Sequence, residues 1–108
     1  MTAIVVPLKK FRPTFKNTIL VGRSDSNDVC IPHQSVSKLH ARLWLRDEEV
    51  VIADAGSTHG TVVDGQRVDG ERTLRSGCVI EFGDCCFRFL DTDSLVDALS
   101  RLSTRGEI

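Results

Sequence analysis

The sequence predicts an all-β domain, a sandwich or barrel, followed by a short C-terminal helix. Three observations support this fold class. The apolar residues occur in short runs, the runs are separated by turn residues such as Asp64-Gly65, and only residues 93–108 show helical spacing. Several closely spaced strands are typical of a sandwich or barrel. A chain of 108 residues is also long enough to bury one hydrophobic core.

Each predicted strand is a short run of β-forming residues with a turn residue near the end of the run. They cover residues 3–8, 18–21, 29–31, 40–46, 50–52, 61–63, 78–82 and 85–90. The clearest is the strand from His40 to Arg46, because apolar and polar side chains alternate along it. Its polar face consists of Arg42, Trp44 and Arg46. This face predicts either arginine stems packed over the indole ring or a second contact surface.

Turn residues connect these strands into hairpins. Asp47-Glu48 predicts a turn before residues 50–52, and Gly83-Asp84 predicts one between the last two strands. Arg75-Ser76-Gly77 predicts another turn. Asp64-Gly65 is the strongest of these signals, because both residues tolerate a positive φ.

The C-terminal segment has the spacing of an amphipathic helix. Leu95, Val96, Leu99 and Leu102 recur at helical intervals, and Gly106 would end the helix. We therefore divide the chain into a sandwich domain over residues 1–92 and a segment over residues 93–108. That segment is either a helix that packs on the sandwich or the start of a linker.

Composition and charge exclude several classes of function. The formal net charge is -1, so no strong field draws the protein to nucleic acid or to a membrane surface. No apolar run is long enough to span a bilayer. The four cysteines lack a C-x-x-C spacing, and we interpret them as small hydrophobic residues of a cytoplasmic protein. We predict no metal site and no cofactor.

Three loop segments contain residues suited to binding an anion. Gly22 permits a tight turn, and Arg23 after it presents a planar guanidinium. Ser37 and Lys38 offer adjacent hydroxyl and ammonium donors, with His40 at the entry to the next strand. The segment Ser57–Gly60 contains further hydroxyl donors. Each segment alone is equally compatible with a solvated surface loop or a well-made turn.

An enzyme is the first alternative to a binding domain. Ser37, His40 and Asp54, or Ser57 with His59, contain the residue types of a nucleophile and its base. However, the sequence has no G-x-S-x-G elbow, no H-E-x-x-H helix and no G-x-x-x-x-G-K phosphate loop. We therefore predict that the protein is not an enzyme.

The combination of these segments in this order is specific, because chance agreement at all of their positions is improbable. Gly22-Arg23, then Ser37-Lys38-Leu39-His40, then Ser57-Thr58-His59-Gly60-Thr61 and finally Asp64-Gly65 resemble the forkhead-associated (FHA) domain family. The resemblance extends from about Ile19 to Phe89. It implies a sandwich of about eleven strands in two sheets that binds phosphothreonine peptides through loops at one end.

The resemblance also implies a role for individual residues. Arg23 and Ser37 would be the principal phosphate contacts, and Lys38 and Thr58 would supply further donors. His59 stands where the family usually has asparagine, whose amide bonds the main chain of the ligand. Neutral histidine can also donate and accept, but with a different reach. The loops would be shaped by Gly22, His40 and Gly60.

The implied partner is a threonine-phosphorylated protein, such as a Ser/Thr kinase or its substrate, in a signalling pathway. The alternative is a phosphate-independent protein-interaction scaffold with a degenerate phosphate site. The departure at His59 is the feature that favours this alternative.

Overall fold

A computed structural model of the protein describes the backbone of residues 2–6 and the whole of residues 18–91. These residues form ten strands and no helix. The strands are β1 (Thr2–Val6), β2 (Thr18–Gly22), β3 (Val29–Cys30), β4 (Ala41–Arg46), β5 (Glu49–Asp54), β6 (Thr61–Val63), β7 (Gln66–Arg67), β8 (Glu71–Leu74), β9 (Val79–Phe82) and β10 (Cys85–Asp91). They build two five-stranded sheets, with the orders β1-β10-β9-β6-β7 and β3-β2-β4-β5-β8. The all-β, two-sheet prediction is thereby confirmed.

The core lies between the sheets and draws on alternate residues of their strands. On β4, Ala41 and Leu43 are buried while Arg42 between them is exposed. Ile52 of β5 joins them from the same sheet, and Phe82 of β9 faces them from the other. The period-two pattern of residues 40–46 therefore identified the inner face of β4 correctly.

The predicted hairpin turns at Asp47-Glu48 and Asp64-Gly65 are both present, although only the second consists of residues that favour a positive φ. Asp47 and Glu48 have φ values of 51° and 66°, and Asp64 and Gly65 have 49° and 78°. Two successive positive φ values are the signature of a two-residue turn whose twist matches that of the flanking strands. These turns fix the pairing of β4 with β5 and of β6 with β7.

Two short strands have no counterpart among the predicted elements. β7 and β8 contain mostly polar residues, and of the four residues of β8 only Leu74 is buried. Both are edge strands. Because an edge strand has one neighbour and much solvent contact, its sequence lacks the clear apolar alternation of a central strand. The strand predicted over residues 78–82 begins one residue later in the structure, at Val79. The reason is that the Cys78 N–H donates to the Arg75 carbonyl in a turn.

Trp44 lies on the outer face of the second sheet, where its indole ring packs with an arginine. The Arg46 guanidinium carbon is 5.8 Å from the centre of the Trp44 ring. The same guanidinium donates to both carboxylate oxygens of Glu71, at 2.9 and 3.2 Å, and this contact lowers the pKa of Glu71. This contact supports the packing interpretation for Arg46, and a second contact surface on this face stays a prediction.

The four cysteines are free thiols in two different environments. Cys78 is buried, which raises its pKa, and Cys85 is partly buried against the core. Cys30 and Cys86 are exposed. The interpretation of all four as small hydrophobic residues is thus wrong for Cys30, on the short edge strand β3, and for Cys86, which alternation places opposite Cys85.

Several predictions fall outside the described residues. Residues 93–108, with the predicted helix or linker, lie beyond them, as does the proposed boundary at residue 92. The count of about eleven strands refers to the whole chain, of which residues 7–17 are also not described. No helix in the part of the chain described is long and apolar enough to cross a membrane.

Candidate functional site

The candidate site is a cleft at the end of the sandwich where β2, β5 and β9 finish and β4 and β6 begin. Its volume is about 420 Å³. The five predicted phosphopeptide contacts all line it, together with residues of the β3–β4 loop. The lining residues are Arg23, Gln34, Ser35, Val36, Ser37, Lys38, Leu39, Thr58 and His59. A larger cleft of about 510 Å³ beside Asp64 and Arg75 contains none of the predicted contacts.

The first loop is joined to the second along their backbones. The Arg23 N–H donates to the Ser37 carbonyl at 2.9 Å, and the Ser24 N–H donates to the Lys38 carbonyl at 3.2 Å. Gly22 makes this approach possible, because a Cβ built there would lie 2.2 Å from the Lys38 carbonyl oxygen. Glycine is therefore required at this position by the space available.

The Arg23 side chain is anchored at one nitrogen only. Its Nε donates to the Val36 carbonyl at 3.0 Å. Neither terminal nitrogen has a hydrogen-bond or ion-pair partner among the described residues, and the side chain is exposed at the cleft. The anchor orients the guanidinium and leaves both terminal nitrogens, with four N–H donors, available to an oxyanion.

Ser37 links the second loop to the third. Its Oγ accepts a hydrogen bond from the Thr58 N–H at 2.9 Å. Because the oxygen is the acceptor in this bond, the hydroxyl hydrogen of Ser37 remains available as a donor to a ligand in the cleft. The bond also fixes the distance between two of the predicted phosphate contacts.

His40 holds the second and third loops from beneath. Its ring is fully buried, and its Nδ1 accepts the Ser37 N–H at 3.1 Å. The other nitrogen, Nε2, therefore carries the hydrogen and donates to the Gly60 carbonyl at 2.8 Å. The ring also packs edge-on against Phe82, with the ring centres 5.6 Å apart.

Asp54 organises the backbone of the third loop. Its carboxylate accepts hydrogen bonds from the Gly56 N–H at 3.0 Å, from both the N–H and the hydroxyl of Ser57, and from the Thr61 hydroxyl. The Ser57 Oγ in turn accepts the Gly60 N–H at 2.9 Å. This closed turn exposes the side chains at its tip, Thr58 and His59, to the cleft.

The same hydrogen bonds determine the ionisation of Asp54. Partial burial opposes the charged form, but donation by Ser57 and Thr61 outweighs it, so the pKa of Asp54 lies below its ordinary value. The folded state therefore releases the proton more readily than the unfolded chain. The stabilisation is complete above the ordinary range of an aspartyl pKa and is lost as the pH falls through the lowered value.

We expect this linkage to appear in acid unfolding. The urea concentration at the unfolding midpoint of the parent should decrease as the pH is lowered from about 5 to about 3. Asp54→Asn cannot ionise, so its midpoint should be lower at neutral pH but should change less over that interval. Urea unfolding at several pH values measures the midpoints of the parent and of Asp54→Asn. Glu71→Gln is the control, because it removes a carboxylate that belongs to an exposed ion pair. Parallel pH profiles for the parent and Asp54→Asn would contradict this role of the carboxylate.

The structure shows two further loop contacts that the sequence did not identify. The Asn27 amide donates to the carbonyls of Ser24 and Lys38, and so it reinforces the contact between the first two loops. Ser35 is buried, and its Oγ accepts the Asp84 N–H at 2.9 Å. No sequence signal predicts the Ser35 contact, because a buried loop serine has the same local pattern as a solvated one.

No hydroxyl of a candidate serine nucleophile is hydrogen-bonded to its candidate histidine base in the described residues. Both nitrogens of His40 are bonded to backbone groups, and neither contacts the Ser37 hydroxyl. The Ser57 hydroxyl donates to Asp54. His40, Ser57 and Asp54 are therefore used to shape the loops, and His59 forms no hydrogen bond to Ser57.

Comparison with known proteins agrees with this architecture. The FHA domain model matches residues 19–83. Mouse proliferation marker protein Ki-67 is 33% identical over 79 residues, which are 73% of this chain but only 2% of Ki-67. The chain therefore corresponds to a small part of that relative.

Solved structures give the same result. The FHA domain of the CT664 protein from Chlamydia trachomatis matches with a TM-score of 0.61 and 30% identity over 64% of this chain and 70% of that one. An FHA domain solved in a study of phosphothreonine-dependent FHA domain interactions also has a TM-score of 0.61, with 28% identity over 65% of this chain and 72% of that one. With the family model matching more than half of its length, the chain belongs to the FHA domain family.

Proposed function

We propose that this chain is a phosphopeptide-binding module that recognises phosphothreonine in a partner protein. The observation that supports it best is the state of Arg23, whose Nε is anchored while both terminal nitrogens remain without a partner in the described residues. These nitrogens share a cleft with Ser37, Lys38 and Thr58. The chemistry of the cleft is that of a multidentate anion site.

The charge of the cleft matches that of a phosphorylated side chain. Arg23 and Lys38 are exposed, and no carboxylate of the described residues forms an ion pair with either. A phosphothreonine has a charge of about -1.5 to -2 at neutral pH and three acceptor oxygens. Two cations and the hydroxyl donors of the neighbouring loops therefore satisfy both its charge and its hydrogen-bonding capacity.

His59 is proposed to bond the main chain of the peptide. Its exposed ring lies at the tip of the third loop and has no hydrogen-bond partner within the described part of the chain. A neutral imidazole offers one donor and one acceptor, which is the pair of groups needed to match a peptide backbone. The replacement of asparagine by histidine is thus compatible with peptide binding.

The partner that follows is a threonine-phosphorylated protein, and we propose a Ser/Thr kinase or its substrate in the cytoplasm. The FHA domain noted above for phosphothreonine-dependent interactions supports this choice. We further propose that the module itself is not catalytic, because both nitrogens of His40 are bonded to backbone groups and the Ser57 hydroxyl donates to Asp54 and not to His59.

The test is a peptide library that presents phosphothreonine, phosphoserine or unmodified threonine in otherwise matched sequences. We expect the parent to select phosphothreonine, and Arg23→Ala to weaken that binding about 10- to 100-fold, since one charged donor pair is lost. Arg75→Ala is the matched control, because it removes an exposed arginine at the opposite end of the sandwich.

The outcomes separate the proposal from its alternative. Phosphothreonine binding that survives Arg23→Ala undiminished would show that the site is elsewhere. Equal binding of phosphorylated and unmodified peptides would indicate a phosphate-independent interaction scaffold.

A further inference from the structure

Arg67 lies beside the third binding loop, although nothing in the sequence pattern connects it with the site. It is one of the two residues of β7 and pairs with Val62 of β6. A Cβ built on Gly60 would lie 2.9 Å from the Arg67 guanidinium carbon and 3.0 Å from its Nη2. The guanidinium therefore packs against the bare α-carbon of Gly60, the residue that follows His59.

This guanidinium has no partner within the described residues. Among the other arginines of the described residues, Arg46 pairs with Glu71, Arg72 donates to Gln66, and Arg88 donates to the Gly77 carbonyl. Arg42 and Arg75 lack such a partner within the same part of the chain, but neither lies at the binding loops. The side chain of Arg67 is exposed, and no carboxylate of the described residues forms a hydrogen bond or an ion pair with it. Arg67 thus presents an uncompensated positive charge and its donors to solvent.

The position of Arg67 relative to the phosphate contacts limits what it can bind. Gly60 is two residues beyond Thr58 in the chain, so the guanidinium lies within roughly 10 Å of the Thr58 position. An extended peptide covers that distance in about three residues. A ligand that places its phosphate in the cleft and crosses His59 therefore brings a neighbouring side chain to Arg67.

We propose that Arg67 is a specificity-determining residue that selects an anionic side chain near the phosphothreonine. The inference rests on the proposed function and extends it, since it names the class of peptide: a phosphothreonine with a carboxylate or a second phosphate within about two to four residues. Both anions suit the planar fork of a guanidinium.

Gly60 is part of the same arrangement. With φ at 84° it occupies a backbone conformation that glycine adopts without strain, and its missing side chain provides the surface on which the guanidinium rests. A side chain at this position would displace the guanidinium. The glycine therefore serves both the turn and the placement of the charge.

The experiment uses the full chain and peptides with one phosphothreonine in an alanine-rich background. Aspartate, phosphoserine or asparagine is placed singly at each flanking position, and affinity is measured by fluorescence anisotropy. The parent should bind the acidic peptide about three- to tenfold more tightly than its asparagine counterpart at one or two positions on the same side. Phosphoserine should give the larger ratio because of its greater charge.

The variant Arg67→Gln should reduce this acidic-to-neutral ratio to about one, whereas Arg75→Gln, which makes the same charge change at the opposite end, should keep it. A parent that binds acidic and neutral phosphopeptides equally, or an Arg67→Gln variant with the parental ratio, overturns the inference and leaves the proposed function intact. A parent that binds none of the phosphopeptides overturns both.

Discussion

His40→Ala is expected to lower the free energy of unfolding by about 3 to 5 kcal/mol. The ring is fully buried, packs against Phe82 and is bonded at both nitrogens. Its removal leaves a cavity, and it also leaves the Ser37 N–H and the Gly60 carbonyl without their partner. Because these two groups belong to different binding loops, phosphopeptide affinity should fall even where the domain remains folded.

Urea unfolding with a fluorescence or circular dichroism readout measures the first effect. His59→Ala is the matched control, since it removes an exposed histidine of the same end that has no hydrogen bond within the described residues. His40→Gln, whose amide keeps a donor near the position of Nε2, should recover part of the loss. An unfolding energy for His40→Ala equal to that of His59→Ala would show that the ring does not hold the loops.

Gly22→Ala is expected to lower the free energy of unfolding by about 3 kcal/mol or more. The new methyl group would lie 2.2 Å from the Lys38 carbonyl oxygen and 2.7 Å from the Asn27 amide nitrogen. The first of these is a backbone atom, so relief requires the first and second loops to separate. That separation breaks the hydrogen bond between the Arg23 N–H and the Ser37 carbonyl and moves both of these proposed phosphate contacts.

The control for this prediction is Gly77→Ala. Gly77 has a φ of 95° but no atom within 4 Å of a built Cβ, so alanine there introduces backbone strain of about 1 to 2 kcal/mol without a steric clash. Chemical unfolding and phosphopeptide titration of the two variants separate the effects. If Gly22→Ala is no more destabilised than Gly77→Ala and binds peptide normally, the close contact of the two loops is not required.

The parts of the fold that the sequence predicts are those governed by local rules. The alternation of β4 and the positive-φ turns at Asp47-Glu48 and Asp64-Gly65 depend on residues adjacent in the chain. β8 was missed because an edge strand with one buried residue has no such local signal. The exposed Cys30 and Cys86 were misjudged because thiols occur on either face of a strand.

The site depends on contacts between distant segments, and this limits what local patterns predict. Ser35 and Asp84 are 49 residues apart, and His40 and Gly60 are 20 apart. Arg23, Ser37 and Thr58 were grouped through the resemblance to a family, since no periodicity brings them together. Arg67 was not grouped with them, because its position follows from the packing of β7 against Gly60 and from no motif.

Backbone NMR titration is the decisive experiment for a phosphothreonine site formed by the three loops. The ¹H–¹⁵N spectrum of the labelled protein is followed while the preferred phosphothreonine peptide, or its unphosphorylated counterpart, is added. We expect saturable shifts in the amides of Arg23, Ser37, Thr58 and His59 with the phosphorylated peptide only, and little change at Asp64-Gly65 and Arg75 at the opposite end. Shifts centred on that opposite end, or the same shifts with the unphosphorylated peptide, would contradict it.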